Sequence, residues 1–274
     1  MNFQDTPIDT VKNYWNSRPC NIRHSPHDVG TKEWSDGVEQ RKYFVEPHIP
    51  AFADFSRWNG KKVLEIGCGL GTDTLNFARL GAKVTAVDLS SYSLELAQKR
   101  LELNGLKATF YQANSEELTS VVPIEEYDLV YSFGVIHHTP HPWRVIQQIK
   151  RYMGPKSTLK IMVYNKYSWK SLWVLAKYGH MKFWNLDELM ARYSEAQIGC
   201  PVTYLYTRDS IKKLLTGLEI DNIFVDHVFP YDIKSYKNYE YKRVWYFRMP
   251  RVLFRAFERA LGWHLCVTAH YKFS

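Results

Sequence analysis

Three groups of residues in this sequence have types and spacings that could do chemistry. Glu65-Ile66-Gly67-Cys68-Gly69-Leu70-Gly71-Thr72 closes a short apolar run, Asp88 ends a second run, and His137-His138 follow a third. Glycines accept positive φ and let a ligand touch bare backbone, and a helix starting behind them presents unpaired N–H groups. A carboxylate at the end of the next strand can accept both hydroxyl hydrogen bonds of a ribose. Together these features describe a nucleoside site. Imidazoles titrate near neutrality, so His138, with His137 beside it, is a candidate base for a nucleophile that must lose a proton.

Such residues work only if strands and helices hold them, and the hydrophobic pattern supplies those elements. Val11 to Trp15 reads as a helix ended by Pro19, and a second helix runs from about Ser35 to Pro47. Strands are expected at Lys62–Ile66, Lys83–Asp88, Ala108–Gln112, Tyr127–Phe133 and Thr158–Tyr164, with helices at Thr72–Leu80, Tyr92–Asn104 and Pro142–Met153 between them. A helix from Thr207 to Leu218, a strand from Asp221 to Val228, a helix from Pro250 to Leu261 and a strand from Trp263 to Lys272 complete the chain. Strands alternating with helices at this pitch require right-handed crossovers and a parallel sheet covered on both faces. The expected fold is α/β: a doubly wound, mostly parallel, Rossmann-like sheet of seven strands with one antiparallel member late in the chain. The divisions are an N-terminal helical cap (1–59), the cofactor-binding core (60–164), an aromatic and basic lid insertion after the fifth strand (165–206), and the rest of the core sheet (207–274).

Two cofactors share the glycine-turn geometry. A dinucleotide site wants G-x-G-x-x-G, whose third glycine lets the helix pack close to the sheet. Here Thr72 stands at that position, and Glu65 before the turn would repel a pyrophosphate but suit an ammonium, a group S-adenosylmethionine carries. At these residues the sequence resembles the class I S-adenosylmethionine-dependent methyltransferases, in the broad group that includes the ubiquinone-type methylases. The resemblance spans Lys61 to Tyr164. It implies that Glu65, Gly67, Cys68, Gly69 and Gly71 line the methionine half of the cofactor and that Asp88 with Leu89 meets the ribose. It also implies that Asn114, with Ser115, reads the adenine where the family often has an acid, and that Ser132 and Phe133 border the sulfonium methyl. The implied reaction is an in-line displacement of the methyl onto an O, N, S or C nucleophile of a small or lipid-like metabolite. S-adenosyl-L-homocysteine is the product, and no metal is expected.

The acceptor site is expected from the cap and the insertion: Tyr14, Trp15, Arg41 and Tyr43 from the first, Tyr164 and Trp169 from the second. Leu129 to Leu186 contains nine bases and no acid, which accounts for the net charge of +8. With interleaved aromatics, residues 165–184 read as an amphipathic lid, a membrane-surface contact or a homodimer face. The basic span also raises nucleic-acid methylation as an alternative. Against it, Ser132-Phe133-Gly134-Val135 replaces the D/N-P-P-Y/F tetrad that grips an extruded base, and Pro19-Cys20 precedes the first strand. From other classes, a non-catalytic nucleotide-binding module and an NAD-dependent oxidoreductase remain as alternatives. Four scattered cysteines indicate neither disulfides nor zinc, and the first residues lack a signal-peptide pattern, so a cytoplasmic location is expected.

Overall fold

A computed structural model describes residues 2–179, 186–194 and 198–271. Lys182 and Trp184 of the basic insertion and Lys272 of the last strand lie outside the described residues. Seven strands form one sheet: β1 (Lys62–Ile66), β2 (Lys83–Asp88), β3 (Thr109–Gln112), β4 (Tyr127–Phe133), β5 (Met153–Tyr164), β6 (Leu218–Asp226) and β7 (His264–Tyr271). Their order is β3-β2-β1-β4-β5-β7-β6, parallel except for β7, which runs antiparallel to both neighbours. The single antiparallel strand therefore sits one place in from the edge, inserted between β5 and β6. Chain order reverses direction across the sheet at β1 and β4, which places a crevice beyond their carboxyl ends.

The eleven helices described are α1 (Ile8–Ser17), α2 (Lys32–Val45), α3 (His48–Ala53), α4 (Thr72–Arg79), α5 (Ser91–Leu103), α6 (Pro142–Lys150), α7 (Trp169–Tyr178), α8 (Leu186–Tyr193), α9 (Arg208–Leu214), α10 (Ile233–Lys237) and α11 (Arg251–Leu261). Caps set several starts. Thr31, Ser90, Ser168 and Thr207 each accept a backbone N–H three residues on, satisfying donors the helix leaves unpaired. Two apolar layers flank the sheet. One includes Leu75, Phe77, Ala97 and Tyr131, the other Leu64, Ile66, Val145 and Ile149.

Two features differ from the sequence expectations. The apolar face of α7 is spent inside: Val174 and Leu175 are buried and Trp169 packs against Phe247 and Phe257, leaving Leu172 as the exposed large apolar residue of that helix. Over the described residues 165–179, core packing thus takes up most of the apolar face that a membrane contact would use, with Tyr167 and Leu172 left exposed. The basic span is likewise partly internal. Lys160 is buried and donates to the carbonyls of Phe52 and Ala53, Lys150 donates to the Thr216 carbonyl, and Lys170 and Lys177 lie over Trp263 and Trp173. These four cations, among the described residues of the span, meet carbonyls and rings of this chain.

Candidate functional site

The turn after β1 is built from left-handed backbone. Gly67, Gly69 and Gly71 have φ of +77°, +52° and +69°. Gly67 and Cys68 donate to the Val87 carbonyl and Gly71 donates to Cys68, so the chain leaves the strand, crosses the end of β2 and enters α4 within five residues. The reason glycine is required differs along the turn. A Cβ at Gly67 would stand 2.1 Å from a methyl of Val135, in the loop after β4, whereas a Cβ at Gly69 would meet nothing within 4 Å. Gly69 therefore offers bare backbone to open space. Asp88 closes the other side: one carboxylate oxygen accepts from Gly69 N at 2.8 Å and the other from Ser90 N at 2.8 Å. Each oxygen keeps a lone pair for a further donor.

These groups edge a cavity of about 1150 Å³ at the β1/β4 crevice. That volume exceeds the few hundred to about 1,000 Å³ of a single small-molecule site. One end is the glycine turn with Asp88, Leu89, Asn114 and Ser115. The other is walled by aromatics and cations, among them Tyr164, Trp169, Trp263, Phe229, Arg41 and Lys170.

Of the residues singled out from sequence, Gly67, Cys68, Gly69, Asp88, Leu89, Asn114, Ser115, Phe133, His138, Trp15, Arg41, Tyr164 and Trp169 line this cavity. Glu65, Gly71, Ser132, His137, Tyr14 and Tyr43 do not. Glu65 lies buried behind the turn, bonded by the Thr74 hydroxyl, and burial beside the Asp73 charge pushes its carboxyl up to about 8. Ser132 donates to the Ile66 carbonyl, Tyr43 to Asp73, and Tyr14 to the Ile198 carbonyl. Gly71 packs under Ala97 of α5. Asn114 reaches the cavity, but its side-chain oxygen already accepts the Glu116 amide, so an adenine contact would share that oxygen.

The two histidines part company. His137 is fully buried, its ring 3.8 Å from that of Tyr164, and desolvation holds it well below its ordinary value. His138 faces the cavity. Its Nδ1 lies 2.8 Å from the Val202 carbonyl, which can only accept, so Nδ1 carries the proton and Nε2 the lone pair. Trp15 of α1 packs against the His138 ring at 5.3 Å, which places the N-terminal helix at the cavity wall. Arg41 is buried and stacks on Tyr236 and Tyr239 at 3.8 and 4.4 Å while donating to the Tyr236 carbonyl. Its Nε and Nη1 have no partner among the described residues.

Sequence reasoning missed the wall formed by Glu46, Lys170, His227, Phe229, Tyr236, Trp263 and His264. Aromatic richness was the available signal, and it did not say which rings would converge.

Residues 63–156 match the family described as "Methyltransferase domain". The ubiquinone biosynthesis O-methyltransferase of Actinobacillus pleuropneumoniae serotype 5b (strain L20) is 34% identical over 110 residues, 39% of this chain and 47% of that protein. The enzyme of the same name from Pasteurella multocida (strain Pm70) is 29% identical over 161 residues, 52% of this chain and 66% of its own length. The chain spans about half the length of the first of these curated relatives. Among solved structures, magnesium protoporphyrin IX methyltransferase from Synechocystis PCC 6803, with S-adenosylhomocysteine bound, superposes with a TM-score of 0.60 at 17% identity over 97% of this chain and 100% of that one. A [4+2]-cyclase superposes with a TM-score of 0.56 at 16% identity, covering 97% of this chain and 94% of that one. Likeness at this identity establishes the fold alone, and the cyclase shows that the fold serves other chemistry.

Proposed function

We propose that this chain, whose residues 63–156 match a methyltransferase-domain family, is a class I S-adenosylmethionine-dependent methyltransferase that transfers a methyl group from S-adenosylmethionine to an acceptor held among the aromatic and basic residues of the same cavity. The observation that carries the proposal is the pairing of Gly69, whose backbone faces open space, with the cavity-facing carboxylate of Asp88. That cradle fits the nucleoside end of the cofactor: bare backbone for close approach and a carboxylate for the ribose hydroxyls. Arg41, buried with its Nε and Nη1 unpartnered among the described residues, supports a place for a carboxylate. The cofactor, when bound, supplies an activated methyl on a sulfonium.

The protein's own part is to orient, to exclude water and to move a proton. Trp15 and the rings beyond Tyr164 close the cavity around the acceptor. His138 is held in one tautomer by Val202, so its Nε2 can take the proton an oxygen, nitrogen or sulfur nucleophile must lose. The relatives are named for O-methylation in ubiquinone biosynthesis, which favours oxygen as the acceptor atom. An aromatic wall carrying Arg41 and Lys170 favours a small or lipid-like acceptor with an apolar body and a negative charge. Lysines spent on internal carbonyls argue against nucleic acid as the acceptor.

Calorimetric titration with S-adenosylhomocysteine and, separately, with NAD tests the cofactor. Binding of the first alone is expected, and binding of NAD instead would overturn the proposal. Mass spectrometry of a cell extract incubated with labelled S-adenosylmethionine and the protein then identifies the molecule that gains the methyl.

A further inference from the structure

Three ligand-type side chains from distant parts of the chain meet on one wall of the cavity. Glu46 follows α2, His227 follows β6 and His264 opens β7, and one ligand atom from each lies within 4.8 Å of the others. His264 Nε2 stands 3.6 Å from a Glu46 oxygen, and all three residues line the cavity. We propose that Glu46, His227 and His264 form a divalent transition-metal site whose remaining coordination positions open into the acceptor half of the cavity.

Two imidazoles with one carboxylate select a transition ion of the zinc, iron or manganese kind over calcium or magnesium, which prefer oxygen ligands. Three protein ligands leave positions for an exchangeable group, the arrangement of catalytic sites. Ligands at about 2.0–2.1 Å from a tetrahedral ion stand about 3.3 Å apart, so the present spacing needs to contract by at most about 1.5 Å. Glu46, past the end of its helix and the least buried of the three, is the residue able to move.

The surroundings orient the histidines as ligands. The other ring nitrogen of His264, Nδ1, is 2.9 Å from Nε2 of buried His48, which leaves Nε2 of His264 to face Glu46. A ligating histidine commonly makes such a second hydrogen bond, which fixes its ring. His227 is held at φ +71°, a conformation a non-glycine residue adopts only when its surroundings impose it. Trp263 N donates to the His227 carbonyl at 2.7 Å, His227 N donates to Asp226, and both oxygens of Asp226 are gripped by Arg255 at 2.8 and 2.9 Å. Lys42 and Lys170 are the nearby cations; Lys42 is paired with Asp73, and Lys170 lies over Trp263. The site stands apart from the cofactor question, since the ion needs only these side chains. Its use in holding an acceptor oxygen rests on the methyl-transfer reading.

Chelator-treated protein titrated with Co²⁺ and followed by visible absorption tests the site, with competition by Zn²⁺ and elemental analysis of the loaded protein. One equivalent is expected. Glu46→Gln, His227→Asn and His264→Gln should each weaken binding at least 100-fold while still binding S-adenosylhomocysteine. Asparagine is chosen because it tolerates positive φ. His48→Gln, which removes no ligand, should weaken binding about 10- to 100-fold. X-ray absorption of the wild-type zinc-loaded protein should read two imidazoles and no sulfur, a result independent of any variant's folding. Absence of metal uptake by wild type, sulfur ligation, or unchanged affinity in the ligand variants would overturn the proposal. Failure of S-adenosylhomocysteine to bind a protein that takes up one ion would instead overturn the methyl-transfer reading alone.

Discussion

Alanine at Gly69 and at Gly67 should act on binding and on folding, respectively, because the same backbone strain meets different surroundings. Both residues have positive φ, which costs a non-glycine residue about 1–2 kcal/mol. At Gly69 nothing lies within 4 Å of an added Cβ, so Gly69→Ala should lower Tm by about 2–8 °C at roughly 2–4 °C per kcal/mol. At Gly67 the Cβ would meet the methyls of Val135 at 2.1 and 2.8 Å. Overpacking of that kind adds about 1–3 kcal/mol, for a total of about 2–5 kcal/mol. Val135→Ala in the Gly67→Ala background removes both methyls and should recover most of the packing part, leaving the backbone part and a residual contact with the Val135 Cβ at 2.9 Å. Denaturant unfolding followed by circular dichroism reads stability, and calorimetry with S-adenosylhomocysteine reads binding. Gly69→Ala should stay folded yet bind at least about tenfold more weakly, since each 1.4 kcal/mol of lost contact is a factor of ten. Wild-type affinity in Gly69→Ala would refute a ligand lying against this backbone. Equal stability of the two alanine variants would refute the packing argument.

Three further outcomes are expected. Asp88→Ala should weaken S-adenosylhomocysteine binding by 100-fold or more, because hydrogen bonds to a charged group contribute about 1.5–3 kcal/mol each; calorimetry showing less than a tenfold loss would refute the ribose assignment. His138→Gln should lower turnover by about 10²-fold or more with little change in cofactor affinity, and equal turnover in a single-turnover assay would make His138 a scaffold residue. Stability should peak near pH 6.5. Glu65 holds its proton more tightly folded than unfolded, so its contribution, complete below its ordinary 4.5, is lost as pH rises toward 8. Burial depresses His24 to about 3 and His137 well below 6.5, so their contribution is present above 6.5 and lost as pH falls. Thermal melts from pH 5 to 8 check the sign, and a steady rise in Tm through pH 8 would contradict it.

The glycine turn and Asp88 were legible because their geometry is local. Positive φ at three glycines and a carboxylate at a strand end are set by residues within a few positions, and the apolar runs that became β1, β2 and β4 carry the same short-range signal. Boundaries slipped where tertiary pairing lengthened a strand: β5 begins at Met153 through its pairing with β4, and β6 begins at Leu218 through its pairing with β7. Helices α3 and α10 were not foreseen, being short and held by what they pack on.

The aromatic and basic wall of the cavity was beyond reach for a different reason. Glu46, His227 and His264 meet because β7 inserts antiparallel between β5 and β6, bringing its first residue beside the ends of α2 and β6. The division between His137 and His138 was decided the same way: both rings are buried, and distant residues such as Tyr164, Val202 and Trp15 determine which of the two reaches the cavity. Local sequence determined the backbone that can receive a nucleoside. The long-range order of the sheet determined which side chains look at it, because that order depends on burying whole strand faces rather than on any neighbouring residue.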